Sequence, residues 1–183
     1  ECGRSSADME IVFICDFGCR LGWQNTFGHL TGGGTMANLE ALWVAWRLHP
    51  GKRIVGSKQA HYTHSRISEV LGIPYSPVAV TRDGRMDMAE IEALLQQGDV
   101  GTIVVTMGNT GLGAVDPLSK ILSLRDRYDF RIHADAAYGG YFGLTSKLKD
   151  ETQQSYRDMS AVDSIVIDPH KNGLQPSGYG RLL

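Results

Sequence analysis

Strand-like and helix-like segments alternate along most of this chain, and this alternation constrains its fold more than any other feature. Strands are predicted for short apolar runs bounded by polar or turn residues. These runs are Arg53–Ser57, Val78–Val80, Thr102–Thr106, Phe130–Asp135 and Ser164–Ile167. Helical patterns separate most of them, which predicts parallel strands joined by crossover helices and therefore an α/β layered fold.

The helical segments carry recognisable start signals. Met36–Leu48 is apolar almost all round, which predicts a buried helix. Asp87 precedes Glu90 by three residues and predicts a capped helix running to about residue 97. Asp116 and Pro117 similarly predict an N-cap and first turn of a helix ending near residue 128. Further helices are expected at His64–Leu71 and within Lys149–Met159, whereas Ile11–Ile14 is at best a short strand.

Composition excludes several classes of function. A length of 183 residues fits one domain, and a formal net charge of −2 gives no electrostatic case for binding nucleic acid or an anionic membrane. No apolar run is long enough to span a bilayer. Cys2, Cys15 and Cys19 are an odd number, which favours a reducing cytoplasm over a disulfide framework.

Glycines and polar side chains are concentrated where the predicted strands end. The chain has 22 glycines, and Gly32–Gly34 lead directly into a helix, an arrangement that suits a phosphate. The Lys-Ser/Thr of a nucleotide P-loop does not follow them. Asp135 ends one strand and can hold a positive charge, and Lys171 follows another and can form a Schiff base. A phosphate-binding loop, a carboxylate and a lysine are together the groups needed to bind pyridoxal 5′-phosphate, which has a phosphate at one end, a pyridinium nitrogen at the other and an aldehyde between.

Five motifs in order then carry a resemblance to a known family. They are TGGGTMAN at residues 31–38, AHY at 60–62, TMGNTGLGA at 106–114, HADAAY at 133–138 and DPHK at 168–171. In these motifs the chain resembles the group II pyridoxal-phosphate-dependent amino acid decarboxylases, which include aromatic amino acid, glutamate and bacterial tyrosine decarboxylases. The resemblance implies the large domain of a fold type I enzyme, with a mostly parallel sheet and helices on both faces.

The resemblance also implies a role for each matching residue. Lys171 would be the Schiff-base lysine, Asp135 the partner of the protonated pyridine nitrogen, and His61 the side chain stacked on the ring. Ala137 would pack against the other face of the ring. The remaining cofactor contacts would be Gly34 and Thr35 at the phosphate, His170 close to it, and Thr110 at the polar edge of the ring. No metal is expected, because the His61 and His64 pair lacks a suitably spaced third ligand.

The chain departs from the family pattern at several points. Gly32 stands where Ser is common, Asn109 where Thr is usual, and Asp168 where several members carry Asn. Residues 1–26 do not match any part of the family pattern, so residues 27–183 are expected to form the cofactor-binding core. Family members continue through a mobile catalytic loop and a C-terminal small domain, whereas this sequence stops soon after Lys171. We therefore expect a truncated large domain.

The sequence thus predicts decarboxylation of an L-amino acid to its amine and CO2. Two alternatives remain open at this point. One is another fold type I enzyme, either a carbon–carbon lyase or a cysteine desulfurase. The other is a truncated chain that is catalytically inactive as it stands. The family also implies a homodimer. The cysteine count favours a cytoplasmic protein, and the expected small-molecule partner is the amino acid substrate.

Overall fold

A seven-stranded sheet forms the centre of the computed structural model, which describes residues 4–176, 178 and 180–183. Its strands are β1 (His29–Thr31), β2 (Arg53–Ser57), β3 (Tyr75–Val78), β4 (Val100–Thr106), β5 (Arg131–Asp135), β6 (Ser164–Ile167) and β7 (Gly180–Leu182). Its helices are α1 (Arg4–Arg20), α2 (Gly34–Leu48), α3 (Thr63–Leu71), α4 (Met88–Leu95), α5 (Leu118–Ser123), α6 (Asp150–Arg157) and α7 (Pro169–Asn172). Cys2 lies outside the described residues.

The strand order is β1-β7-β6-β5-β4-β2-β3. Strands β2 to β6 pair in parallel, and β7 pairs antiparallel with both β1 and β6. The mostly parallel α/β sheet predicted from the alternating pattern is therefore confirmed. Because the carboxyl ends of parallel strands share one edge, the segments that follow β4, β5 and β6 meet there.

Alternate residues of the strands face two separate cores. Ile103 and Val105 of β4 pack in the larger core, which also receives apolar side chains from α1, α4, α5 and α6. Val104, between them, packs instead in a core with Leu42 of α2 and Ile67 of α3. Helices thus cover both faces of the sheet, which explains why the central strands are apolar on consecutive positions. No helix in the described part of the chain is long and apolar enough to cross a membrane.

The N-terminal segment is helical, so the prediction of a short strand at Ile11–Ile14 is wrong. Ile14 and Phe17 are three residues apart, and both are buried in the larger core. Met9 and Val12 remain exposed, which obscured the helical period in the sequence. The domain boundary after residue 26 stays a prediction.

The helix predicted at Met36–Leu48 is present as α2, but it is buried on one face only, so the prediction that it is a buried helix is wrong for its other face. Small residues such as Ala37, Ala41 and Ala45 face the sheet, whereas Met36 and Trp43 are exposed. Small side chains let α2 approach the sheet closely, because they leave little volume between backbone and strands. The long apolar side chains on its other face are left uncovered.

Two further predictions are corrected by long-range pairing. Strand β3 begins at Tyr75, opposite Ile54 of β2, rather than at Val78 as predicted. Asp116 does not cap α5; its carboxylate accepts hydrogen bonds from the backbone N–H groups of Met86 at 2.9 Å and Thr106 at 2.8 Å. The predicted cap at Asp87 is confirmed, since its carboxylate accepts from Ala89 N and Glu90 N.

Candidate active site

A cavity of about 330 Å³ opens at the carboxyl edge of the sheet. It lies where the segments after β4, β5 and β6 meet the N-terminus of α2 and the start of α3. All the residues that the sequence predicted as cofactor contacts line it: Gly34, Thr35, His61, Thr110, Asp135, Ala137, His170 and Lys171. The fold therefore brings five separate chain segments to one place, while the individual roles of these residues remain predictions.

The glycine-rich segment forms one end of the cavity. Gly33 precedes α2 with a φ of 126°, a left-handed value that side chains rarely adopt. A Cβ built on Gly32 or Gly33 would meet no atom within 4 Å, so this loop borders open space. A Cβ on Gly34 would lie 2.6 Å from Oδ2 of Asp168. The free amides of the first turn of α2 and its positive dipole end thus border an open cradle of the kind that binds phosphate.

Asp135 ends β5 at the floor of the cavity, and its carboxylate is held by two donors. Its Oδ2 lies 2.7 Å from Nε2 of His64, and its Oδ1 accepts a hydrogen bond from Ala137 N at 3.1 Å. Burial alone would raise the pKa of Asp135, but the hydrogen bond and electrostatic attraction from His64, together with the hydrogen bond from Ala137 N, outweigh burial and lower that pKa below its ordinary value. Asp135 is therefore a carboxylate at neutral pH.

His133 lies on the same face of β5 but serves the packing of the sheet. Its ring nitrogens lie 2.8 Å from Ser164 Oγ and 2.8 Å from Asn38 Oδ1. Complete burial lowers the pKa of His133 to about 3, so the ring is neutral. Since Asn38 Oδ1 accepts only, Nε2 carries the proton and Nδ1 accepts from Ser164.

His61 stands at the cavity wall just before α3. Its Nδ1 lies 2.8 Å from Thr63 Oγ1, and its ring packs against Tyr62 with 4.4 Å between centroids. Burial lowers the pKa of His61, which favours a neutral ring at neutral pH. A neutral, oriented imidazole is suited to packing flat against an aromatic ligand.

Lys171 lies in α7 after β6 and faces a carboxylate. Its Nζ is 3.0 Å from Oδ2 of Asp168, whose other oxygen has no hydrogen-bond partner among the described residues. His170 Nε2 is 3.9 Å from the same Oδ2. The segment from Asp168 to Lys171 therefore places an amine, an imidazole and a buried carboxylate at the cavity.

The loop after β4 forms the remaining wall. Asn109 is buried and holds the loop, because its Oδ1 accepts from Leu112 N at 2.8 Å and its Nδ2 donates to Gly84 O at 3.3 Å. Thr110 follows it at the exposed rim. Thr106 lines the cavity with a buried hydroxyl that has no partner in the described part of the chain.

Several lining residues were not among the predicted contacts, notably Asn38, Thr63, Thr106 and Tyr138. Asn38, Thr106 and Tyr138 lie inside the five sequence motifs, so their position in those motifs was a usable signal. The contact between His64 and Asp135 had no such signal, because 71 residues separate the two.

These residues fit pyridoxal phosphate. The open cradle at Gly32 and Gly33 suits the phosphate, the ionised Asp135 suits a protonated pyridine nitrogen, and Lys171 supplies a primary amine. The unpartnered Thr106 hydroxyl and Asp168 oxygen are buried polar atoms beside the same cavity. Such atoms are uncommon in folded proteins unless a ligand or water satisfies them.

Sequence comparison identifies the family. Residues 48–183 match the pyridoxal-dependent decarboxylase conserved domain, and this chain belongs to that family. It is 32% identical over 182 residues to a probable L-tyrosine/L-aspartate decarboxylase of Methanocella arvoryzae, covering 97% of this chain and 48% of that protein. It is 31% identical over 159 residues to an L-aspartate/L-glutamate decarboxylase of Pyrococcus horikoshii, covering 85% of this chain and 41% of the relative. The chain thus spans about half the length of the curated relatives it matches.

Solved structures share the fold. The glutamate decarboxylase domain of a Vibrio parahaemolyticus diaminobutyrate-pyruvate transaminase and L-2,4-diaminobutyrate decarboxylase superposes with a TM-score of 0.84 at 26% identity, over 97% of this chain and 44% of that one. A sphingosine-1-phosphate lyase of Burkholderia pseudomallei superposes with a TM-score of 0.87 at 21% identity, over 98% of this chain and 45% of the other. Oryza sativa TDC, crystallised with PLP, superposes with a TM-score of 0.80 at 20% identity, over 95% of this chain and 43% of that one. This fold is therefore that of the fold type I enzymes, and pyridoxal phosphate is the cofactor of the family.

Proposed function

We propose that this chain binds pyridoxal 5′-phosphate and contributes to the removal of the α-carboxylate of an L-amino acid as CO2. One observation carries the proposal. The residues predicted from the sequence motifs come from five separate segments, yet they surround a single cavity in a chain of the pyridoxal-dependent decarboxylase family. Coincidence of this kind is not expected of motifs with purely structural roles.

Each residue then has a proposed task. Asp135 would hold a proton at the pyridine nitrogen, and His61 and Ala137 would pack against the two faces of the ring. The backbone of Gly34 and Thr35 would bind the phosphate, with His170 near it and Thr110 at the polar edge of the ring. Lys171 would hold the cofactor covalently and afterwards move a proton. Bound pyridoxal phosphate supplies the electron sink that accepts the pair left by the departing CO2.

The proposed substrate is an acidic or aromatic L-amino acid. The relatives named above are described as acting on L-tyrosine, L-aspartate or L-glutamate, and we carry those three forward as candidates. The match to the decarboxylase domain supports this reaction over a carbon–carbon lyase or a cysteine desulfurase. The likeness to the sphingosine-1-phosphate lyase, at 21% identity, concerns the fold alone.

The test is to add pyridoxal phosphate to the purified chain, reduce with borohydride and map the modified residue by mass spectrometry. We expect modification at Lys171 and its loss in Lys171→Ala. Lys120→Ala is the matched control, because Lys120 lies on the surface beside Glu151. Modification that persists in Lys171→Ala would falsify the site.

Carbon dioxide release from labelled tyrosine, aspartate and glutamate tests the reaction separately. Release from one of them, absent in Lys171→Ala, supports decarboxylation. Covalent labelling of Lys171 without CO2 release from any of them would support the alternative that the chain binds cofactor but is inactive as it stands.

We also propose that the chain forms a homodimer. Met36, Trp43, Val44 and Leu48 leave apolar surface exposed on α2, and such surface is usually covered in an assembly. We expect light scattering to give twice the mass of one chain for wild type and the mass of a single chain for Trp43→Glu. A monomeric wild type contradicts this part of the proposal.

A further inference from the structure

His64 is a histidine in a position that packing alone would give to an apolar residue. It lies in the first turn of α3, and its side chain is completely buried. Thr63, Ile67 and Ser68 are the other buried residues of this helix. Burying an imidazole in such a face is unfavourable unless its nitrogens find partners.

A single hydrogen bond explains the position of His64. Nε2 lies 2.7 Å from Oδ2 of Asp135, whereas Nδ1 has no partner among the described residues. The ring therefore does not tether two parts of the fold to each other through both nitrogens. It acts as a donor to one acceptor, and that acceptor lines the cavity.

His133, the other histidine near Asp135, cannot donate a hydrogen bond to this carboxylate. The rings of His64 and His133 meet edge-on with 6.4 Å between centroids, but both nitrogens of His133 are engaged by Asn38 and Ser164. Although His133 and Asp135 share a face of β5, it is His64 that contacts the carboxylate.

The two groups that donate hydrogen bonds to Asp135 fix the plane of its carboxylate. His64 binds Oδ2 and Ala137 N binds Oδ1, so rotation about the last side-chain bond would break both contacts. A carboxylate oxygen can accept more than one hydrogen bond. Each oxygen therefore keeps capacity for a donor that enters from the cavity.

We infer that His64 is a positioning residue that holds the Asp135 carboxylate in the orientation needed to accept the N–H of a protonated pyridine ring from the cavity. The inference rests on the proposed function, since it names the residue behind one of the cofactor contacts. It assigns to His64 no contact with the cofactor itself.

The first test uses the chain without cofactor. In a proton NMR spectrum we expect a downfield, exchange-protected Nε2–H resonance of His64. It should disappear in His64→Leu and Asp135→Ala but persist in Lys171→Ala. Absence of a protected ring proton in the wild type would overturn the inference whatever the chain does with pyridoxal phosphate.

The second test uses pyridoxal phosphate labelled with ¹⁵N in the ring. In wild type the ring nitrogen should have the chemical shift of the protonated form. In His64→Leu we expect a shift toward the unprotonated form and an affinity for pyridoxal phosphate about ten- to hundredfold lower, the usual effect of losing a hydrogen bond to a charged group. His64→Gln, which keeps a donor, should recover part of the affinity.

Ser68→Ala is the matched control, because Ser68 is buried one turn further along α3 and its hydroxyl has no partner in the described residues. It should change neither the ¹⁵N shift nor the affinity. A folded His64→Leu variant with wild-type shift and affinity would overturn the inference. A wild type that takes up no pyridoxal phosphate would instead overturn the proposed function, and the cofactor-free spectrum would then decide the role of His64.

Discussion

The carboxylate of Asp168 lies 3.0 Å from the amino group of Lys171, and it is 4% exposed. The same carboxylate borders Gly34 at the start of α2, where a Cβ would approach it to 2.6 Å. A negative charge thus lies between the proposed Schiff-base lysine and the proposed phosphate cradle. The family resemblance implies an amide at this position in several members, so Asp168→Asn is the natural substitution for testing this charge.

Replacing that charge should strengthen anion binding. We expect Asp168→Asn to bind inorganic phosphate more tightly by about 1 kcal/mol, roughly fivefold, because a like charge near the anion is removed. Calorimetric titration of the cofactor-free chain measures it. Asp126→Asn, at an exposed site, is the control and should change nothing. Equal or weaker phosphate binding by Asp168→Asn would show that the carboxylate does not face the anion.

Gly139 is expected to be indispensable for the close packing of the segment after β5 against Met107 and Tyr156. A Cβ there would lie 1.8 Å from the carbonyl oxygen of Met107 and 2.8 Å from the Tyr156 hydroxyl. Gly139→Ala should therefore lower the free energy of unfolding by about 3 kcal/mol, in the range of severe overpacking. Gly111→Ala is the matched control, because a Cβ at Gly111 meets nothing within 4 Å. Urea denaturation measures both, and equal stability of the two variants would contradict the close approach.

Asp116 should make stability fall as the pH rises. Burial raises the pKa of Asp116 from 3.8 to about 6, so the folded state holds this proton more tightly than the unfolded state. Its stabilising contribution is present below the ordinary pKa and is lost as the pH rises through about 6. Between pH 4.5 and 7.5, wild type should lose about 2 kcal/mol relative to Asp116→Asn.

Urea denaturation of wild type and Asp116→Asn at both pH values isolates this effect, because the other titrating groups are common to the two proteins. The hydrogen bond that asparagine cannot replace gives an offset that does not depend on pH. The prediction is contradicted if the difference in unfolding free energy between wild type and Asp116→Asn stays constant with pH, or if wild type gains stability relative to Asp116→Asn as the pH rises.

The cap of α4 should be worth a measurable amount. Asp87 accepts hydrogen bonds from Ala89 N at 2.8 Å and Glu90 N at 3.4 Å. Asp87→Ala should cost about 1 kcal/mol of unfolding free energy, as N-caps generally do. Asp83→Ala, in the exposed turn before it, should be neutral. Thermal and urea unfolding of wild type, Asp87→Ala and Asp83→Ala measure this difference. Equal unfolding free energies for wild type and Asp87→Ala would contradict the cap.

Patterns within short stretches of sequence were enough to predict most of the sheet. The apolar runs at Arg53–Ser57 and Ser164–Ile167 are strands with those bounds, and the cap at Asp87 forms as predicted. The residues at the strand ends were also readable, because parallel strands bring their carboxyl ends to one edge. This rule is why motifs as distant as Gly34 and Lys171 could be assigned to a single site.

The sequence by itself thus determined the alternating architecture and eight of the residues that line the cavity. The tertiary structure decided which side chains meet inside it. Asp116 accepts from the backbone N–H groups of Met86 and Thr106 rather than capping the adjacent helix, and His64 contacts Asp135 across 71 residues of sequence. Local spacing records periodicity and caps, whereas a buried donor finds its acceptor only through packing of distant segments. Burial then makes each such pairing obligatory, because an unpaired polar group in the core is costly.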